Sequence, residues 1–267
     1  MVERSRRGKG KHRRQQKLLG SHARSWLWGR NLVCETLAAA RWPVLELHLA
    51  DNLPVNQLEE ACGAAAQLGA KVMIESHAAL GRLAQTSEHQ GYLAKMGPFP
   101  YAAADELLSR ASGRPLYLVL DGIQDPYNFG AMLRSAGAFG ADGVFIGEHR
   151  QVPVTSMVAR SSAGVVSRLP VARVADLPAL VDILRARRVT VVAASEKAER
   201  PLTSCDFRAA TAIVVGNEGT GISQVLSARC NLSARIPLAD GAGSLNAAAA
   251  AAVFFFEVQR QRGVRTA

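Results

Sequence analysis

No stretch of this 267-residue chain is apolar for long enough to cross a bilayer: the longest purely apolar run, Ala247 to Phe256, holds ten residues. A spanning helix needs roughly 20. No signal-peptide pattern opens the chain either, so a soluble, intracellular protein is expected. The four cysteines, Cys34, Cys62, Cys205 and Cys230, include no C-x-x-C pair and have no histidine nearby at ligand spacing. That argues for reduced, mostly buried thiols, against structural zinc, and for a site without metal. No internal repeat is visible. What the chain does have is 48% apolar and 20% charged residues, an ordinary globular composition that excludes disorder throughout.

Its net charge of +10 is unevenly placed. Residues 1 to 17 hold eight Lys and Arg against Glu3 alone, Arg260, Arg262 and Arg265 supply the rest of the excess, and the body between is near neutral. The stretch RSRRGKGKHRRQQK cannot bury enough apolar surface to fold alone, and its repelling charges favour a solvated chain. Residues 1–22 are therefore expected to be a disordered basic arm. Arg6, Arg7, Lys9, Lys11, Arg13 and Arg14 are its candidate RNA contacts through counterion release. The competing reading is a solubilising tail.

Residues 23–97 read as a small α/β domain, with a helix at Asn31 to Ala40, a strand at Val44 to Leu49, a helix near Leu58 to Leu68 and a strand at Lys71 to Glu75. Residues 98–114, with GPFPY, a polar helical segment ADELLSR and ASGRP, read as the linker. From 115 to 267 the pattern becomes regular: LYLVLDGI, GVFIG, VTVVAAS and AIVVGN are near-continuous apolar strands alternating with helices. That is an α/β fold with a mostly parallel sheet covered by helices on both faces.

In such sheets ligands bind beyond the carboxyl ends of the strands. The loop after LYLVLDGI places Asn128 where a helix N-cap belongs and Arg134 farther along the helix. VVGNEGTGIS has a G-x-x-G-x-G spacing and no following Lys, so neither the dinucleotide fingerprint nor a phosphate-binding P-loop is present. The loop exposes backbone and carries one carboxylate, Glu218. In IPLADGAGSLNAAAA, Ser244 is a candidate cap for a helix whose Ala-rich first turns allow close approach of another backbone. Each feature taken alone also has a purely structural reading: a cap, a surface arginine, a Gly-rich turn.

In order and wording, LDGIQDPYNFGAMLRSAGAFG, VVGNEGTGIS and IPLADGAGSLNAAAA resemble the three signature motifs of the SpoU-type (TrmH-like) RNA ribose 2′-O-methyltransferases of the trefoil-knot (SPOUT) superfamily. ARSSAGV, from Ala159 to Val165, is similar to the basic Ser-Ala-Gly stretch between the first and second motifs. The amino-terminal half, with His89-Gln90-Gly91, resembles the ribosomal-protein-like substrate-binding domain that many members carry. One departure is that Ala247-Ala248 stand where the family usually has Val-Ser or a similar pair, which removes a hydroxyl.

The resemblance implies a knotted catalytic domain and S-adenosylmethionine as cofactor. The cofactor would be held largely by backbone at Ala194, Ser195 and Glu196, at Gly216, Asn217, Glu218 and Gly219, at Ile236 and Leu238, and at Ser244 and Leu245. It implies Arg134 at the ribose 2′-hydroxyl and the target phosphate, with Asn128, Glu218, Ser244 and Asn246 orienting it, and Arg160, His89 and Gln90 on RNA. It further implies a cytoplasmic homodimer in which one subunit completes the other's site, acting on ribosomal rather than transfer RNA. The alternative is a catalytically silent RNA-binding or ribosome-assembly protein of the same fold.

Overall fold

The computed structural model describes residues 26–110, 113–240 and 243–263; the basic arm, with Arg6, Arg7, Lys9, Lys11, Arg13 and Arg14, lies outside them. The chain divides into two compact units, residues 1–100 with 154–160, and residues 101–153 with 161–267.

The first unit carries a four-stranded sheet in the order β1-β4-β2-β3. Its strands are β1 (Trp26–Trp28), β2 (Val44–Ala50), β3 (Lys71–Glu75) and β4 (Tyr92–Met96). Helices α1 (Arg30–Ala39), α2 (Val55–Gln67) and α3 (His77–Ala84) complete it. Strands β1 and β4 and helix α3 were not foreseen. β1 is three residues long and exists by antiparallel pairing with β4, Trp26 opposite Lys95 and Trp28 opposite Leu93. A pairing of that kind leaves no local period. Trp26, Leu93 and Ala50 on the sheet then bury against Leu80 and Ala84 of α3.

The second unit is built on a six-stranded, wholly parallel sheet in the order β10-β8-β9-β5-β6-β7. The strands are β5 (Leu116–Asp121), β6 (Gly143–Gly147), β7 (Val171–Val174), β8 (Thr190–Ala194), β9 (Thr211–Gly216) and β10 (Leu232–Ala234). β5 and β9 are buried almost throughout, as expected of central strands covered on both faces. Tyr117, Val119, Phe145, Val191 and Val214 form one core with helices α4 (Ala104–Arg110), α7 (Leu177–Ala186) and α8 (Gln224–Ser227). Helix α9 (Ala247–Arg262) lies against α5 (Pro126–Ala138), β8 and β9. Short helix α6 (Ser156–Ser161) follows β6 in sequence, and all of it but Ser161 belongs to the first unit.

The stretch expected as a linker is more than a connector. Leu107 and Leu108 of α4 are buried in this core, and a Cβ added to Gly143 would lie 2.5 Å from a Leu107 methyl, so β6 opens on the one residue that admits that helix. Of the thiols expected mostly buried, Cys205 is buried and Cys34, Cys62 and Cys230 are half-buried; all four are free. Burial pushes Cys230 up to about 11, so it is a protonated thiol at neutral pH. Among the described residues no helix is long and apolar enough to cross a membrane.

Candidate active site

Three neighbouring parallel strands, β10, β8 and β9, end at the same edge of the sheet, and the loops leaving them, with the segment entering α9, enclose a cavity of about 540 Å³. That size lies within the range of small-molecule sites. Every residue expected to hold a cofactor lines it: Ala194, Ser195 and Glu196 after β8; Gly216, Asn217, Glu218 and Gly219 after β9; Ile236 and Leu238 after β10; Ser244 and Leu245 before α9. Lys197, Thr220, Gly221, Ile222, Ser227, Ala234, Ala250 and Phe254 also line it and were not foreseen. Ala250 and Phe254 have a signal in sequence, since they lie one and two turns after Asn246 on the Ala-rich helix.

Local chemistry explains the shape of the β9 loop. Asn217 and Gly221 exchange backbone hydrogen bonds, Asn217 N donating to Gly221 O at 3.1 Å and Gly221 N to Asn217 O at 2.8 Å. Because the loop folds back so tightly, a Cβ on Gly216 would lie 2.2 Å from the Gly221 carbonyl carbon and the Ile222 nitrogen. Only glycine fits there, and its bare backbone becomes cavity wall.

The helix starts differ from expectation. Asp125 rather than Asn128 caps α5, its carboxylate accepting from Tyr127 N at 2.9 Å, with Pro126 in the first turn. Proline's fixed φ suits that position, which pushes the cap one residue upstream of it. Likewise Asn246, not Ser244, caps α9, its Oδ1 accepting from Ala248 N at 2.9 Å and Ala249 N at 3.3 Å.

Relieved of capping, Asn128 faces the other motifs. Asn246 Nδ2 donates to Asn128 Oδ1 at 3.0 Å, and Asn128 Nδ2 donates to Glu218 Oε1 at 3.0 Å. Both amide orientations are fixed by this chain: Asn246 Oδ1 is taken by the α9 backbone, so its nitrogen must donate outward, which leaves Asn128 its own nitrogen for the carboxylate. Glu218 is an exposed residue at the cavity wall. Arg134 is brought to neither the cavity nor this chain of bonds; it is exposed on α5, six residues after Asn128 and so about 120° away around the helix. Among the described residues no group of three or more His, Cys, Asp or Glu is disposed to hold a metal.

The residues expected on RNA lie in the first unit. His89 is 1% exposed, its Nδ1 accepting from Gly91 N at 3.1 Å and its ring 4.2 Å from that of His77; burial, helped by His77, lowers its pKa. It is a core residue holding a turn rather than a surface contact. Gln90 is exposed at φ +53°, and its Oε1 accepts from Arg30 N at 2.9 Å at the start of α1. Arg160 is exposed, paired with Glu88 at 3.0 Å and stacked over the Trp28 ring at 4.4 Å.

Comparison with known proteins agrees with this geometry. Residues 115–256 match the SpoU rRNA Methylase family, and residues 26–102 match the RNA 2′-O ribose methyltransferase substrate binding family. The 23S rRNA (guanosine-2′-O-)-methyltransferase RlmB of Coxiella burnetii is 34% identical over 239 residues, covering 88% of this chain and 95% of that one. Among solved structures, the AdoMet-bound rRNA methyltransferase of Sinorhizobium meliloti superposes with a TM-score of 0.75 at 25% identity, covering 92% of this chain and 90% of that one. The SpoU methyltransferase AviRb of Streptomyces viridochromogenes, in complex with AdoMet, gives 0.76 at 25% identity, covering 94% and 93%. With its three motif loops gathered at one edge of a parallel sheet and a family match over more than half its length, the chain belongs to the SpoU rRNA methylase family and is an RNA methyltransferase.

Proposed function

We propose that the protein methylates a ribose 2′-hydroxyl of ribosomal RNA with S-adenosylmethionine as methyl donor. The observation that carries the reading is the bonded series Asn246, Asn128, Glu218, whose two ends, Asn246 and Glu218, line the 540 Å³ cavity. The cavity fits the cofactor: Gly216 is a cradle that a Cβ would fill, the β9 loop contributes open backbone at Gly219 and Gly221, and Phe254 with Ile236 supplies apolar surface. Support for the 2′-hydroxyl and for ribosomal RNA comes from the substrate-binding match and from the relative in Coxiella burnetii.

When bound, S-adenosylmethionine supplies an electrophilic methyl group on a sulfonium. The chain must then place the hydroxyl in line, exclude water and stabilise negative charge as the proton leaves. Asn246 fixes Asn128, and Asn128 fixes one oxygen of Glu218, leaving the other oxygen to accept from the ribose. Arg134 holds the target phosphate and stabilises the developing oxyanion, a role suited to the planar fork of N–H donors on a guanidinium. Ser244 lines the cavity with Glu218 and Asn246.

Since Arg134 points away from its own Asn128, it serves the site of a second copy in a homodimer. Support for that assembly is a groove of about 590 Å³ beside α5 and α9, lined by Phe139, Phe256, Gln259 and Arg260, with Phe256 56% exposed. The trefoil knot belongs to the same reading and follows from the resemblance of the three motifs. The first unit and the basic arm bind RNA, with Arg160 released from Glu88 to a phosphate; a cytoplasmic RNA is the substrate this implies. The test is transfer of labelled methyl from S-adenosylmethionine to ribosomal RNA, with the product mapped as a 2′-O-methyl nucleotide. Methylation of a base, or of transfer RNA alone, would overturn it.

A further inference from the structure

We infer that the side chain of Asn217 is a positioning residue for methyl transfer: it couples the β9 loop to the loop entering α5, so that Glu218 and Asn128 meet. The inference rests on the proposed role of Glu218. Asn217 sits at the cavity wall, but its amide is spent inside the protein. Its Oδ1 accepts from Gly219 N at 2.9 Å, Thr220 N at 3.1 Å and Thr220 Oγ1 at 3.3 Å, which fixes the conformation of the loop on either side of Glu218. Its Nδ2 donates to Gly122 O at 2.8 Å, in the segment between β5 and α5.

The two ends of this amide have separable jobs. The oxygen shapes one loop; the nitrogen ties that loop to another. A second tie lies close by, where Ser223 N donates to the Asp121 carboxylate at 2.7 Å, so β5 and the β9 loop are clasped on both sides of the turn. Between the clasps Glu218 projects to Asn128, 90 residues away in sequence. Without the Asn217 to Gly122 bond the β9 loop retains its shape but is tied to the β5–α5 segment on one side only, through Ser223 and Asp121, and Glu218 is free to shift relative to Asn128. A displacement near 1 Å at a reacting centre can cost about 100-fold in rate.

The substitution that separates the two jobs is Asn217→Asp, which keeps the acceptor for Gly219 and Thr220 and replaces the donor toward Gly122 with a repelling oxygen. Methylation of ribosomal RNA and calorimetric binding of S-adenosylmethionine would be measured for this variant, for Glu218→Gln and for the double variant. Expected are a fall in kcat of about 10- to 100-fold with cofactor affinity within about 3-fold, and a double variant no slower than Glu218→Gln alone, because Asn217 acts through Glu218. Unchanged kcat, multiplying effects in the double variant, or cofactor affinity falling in step with kcat would each overturn the inference. Full activity of Glu218→Gln would remove the proposed site role itself, whereas an impaired Glu218→Gln beside a fully active Asn217→Asp removes only the positioning role. Should the Asp variant not fold, Asn217→Ser, which accepts from the loop but is too short for Gly122, carries the same comparison.

Discussion

Asn128 on α5 donates a 3.0 Å hydrogen bond to Glu218 in the loop after β9, joining two of the three motifs that sequence alone sets far apart. The third joins through Asn246. The series has no slack, since each amide has only one orientation that satisfies its partners.

Asn128→Asp is accordingly expected to place two carboxylates in contact and to slow methyl transfer by about 100-fold or more, while Asn128→Ala slows it less per disrupted partner. Single-turnover rates at saturating RNA and cofactor check the order. An Asp variant as fast as the wild type would show that the Glu218 contact is incidental.

Gly216→Ala should weaken S-adenosylmethionine binding by at least about 10-fold and lower stability by about 1–3 kcal/mol, because its Cβ meets backbone that cannot rotate away. Calorimetry and thermal unfolding on the same preparation report both. Normal affinity in the Ala variant would mean that the loop tolerates a wider turn.

Arg134→Ala should lose about 100-fold or more in rate with cofactor affinity nearly unchanged, the guanidinium being outside the cavity lining. Mixing Arg134→Ala with Glu218→Gln subunits is expected to restore part of the activity if the arginine serves a second copy. No recovery in the mixture would assign it to its own subunit.

Removing residues 1–17 takes away seven net positive charges, so RNA affinity should fall and its salt dependence flatten by about 0.7 in log–log slope per lost single-strand phosphate contact. Turnover at saturating RNA should persist, since phosphate contacts position RNA without doing chemistry. Equal slopes for full-length and shortened protein would reduce the arm to a solubilising tail.

Glu257, 5% exposed on α9, is held below the usual carboxylate range chiefly by the Arg260 guanidinium bonded at 2.7 and 2.8 Å. A depressed folded-state pKa contributes stability above the unfolded value near 4.5 and loses it as pH falls through the folded value. Glu257→Gln should thus be less stable than wild type at pH 7, with the gap closing below about pH 4.5. Denaturant midpoints measured at both pH values test the sign.

The parallel sheet was legible because its central strands are apolar on both faces, and the cavity because its motifs follow those strands directly. Trp26–Trp28 was not, since three residues make a strand only by pairing with β4, nor was Tyr92–Met96, which is held by antiparallel pairing to both β1 and β2 rather than marked by a local period. The caps differ for another reason: Asn128 and Ser244 have the right chemistry but lie three residues past and two residues before the positions where Asp125 and Asn246 cap the helices. The hub at Asn217 did carry a signal, an Asn followed two residues later by Gly, which is a side-chain turn mimic. His89 was read from wording alone, and burial decided against a surface role.

The position of β9 between β5 and β8 has a consequence during synthesis. Leu116 waits for Thr211, its partner across the central seam of the sheet, and at about 5–20 residues per second the wait lasts roughly 5 to 20 s. Throughout that interval β5 offers an unpaired edge of apolar residues while β6 and β7 can already assemble on its other side. A nascent chain stalled before β9 would be a half-sheet seeking a strand, and any strand from a neighbouring ribosome would serve. Synonymous changes that slow translation between residues 175 and 211 are therefore expected to raise aggregation without altering a single amino acid of the finished enzyme.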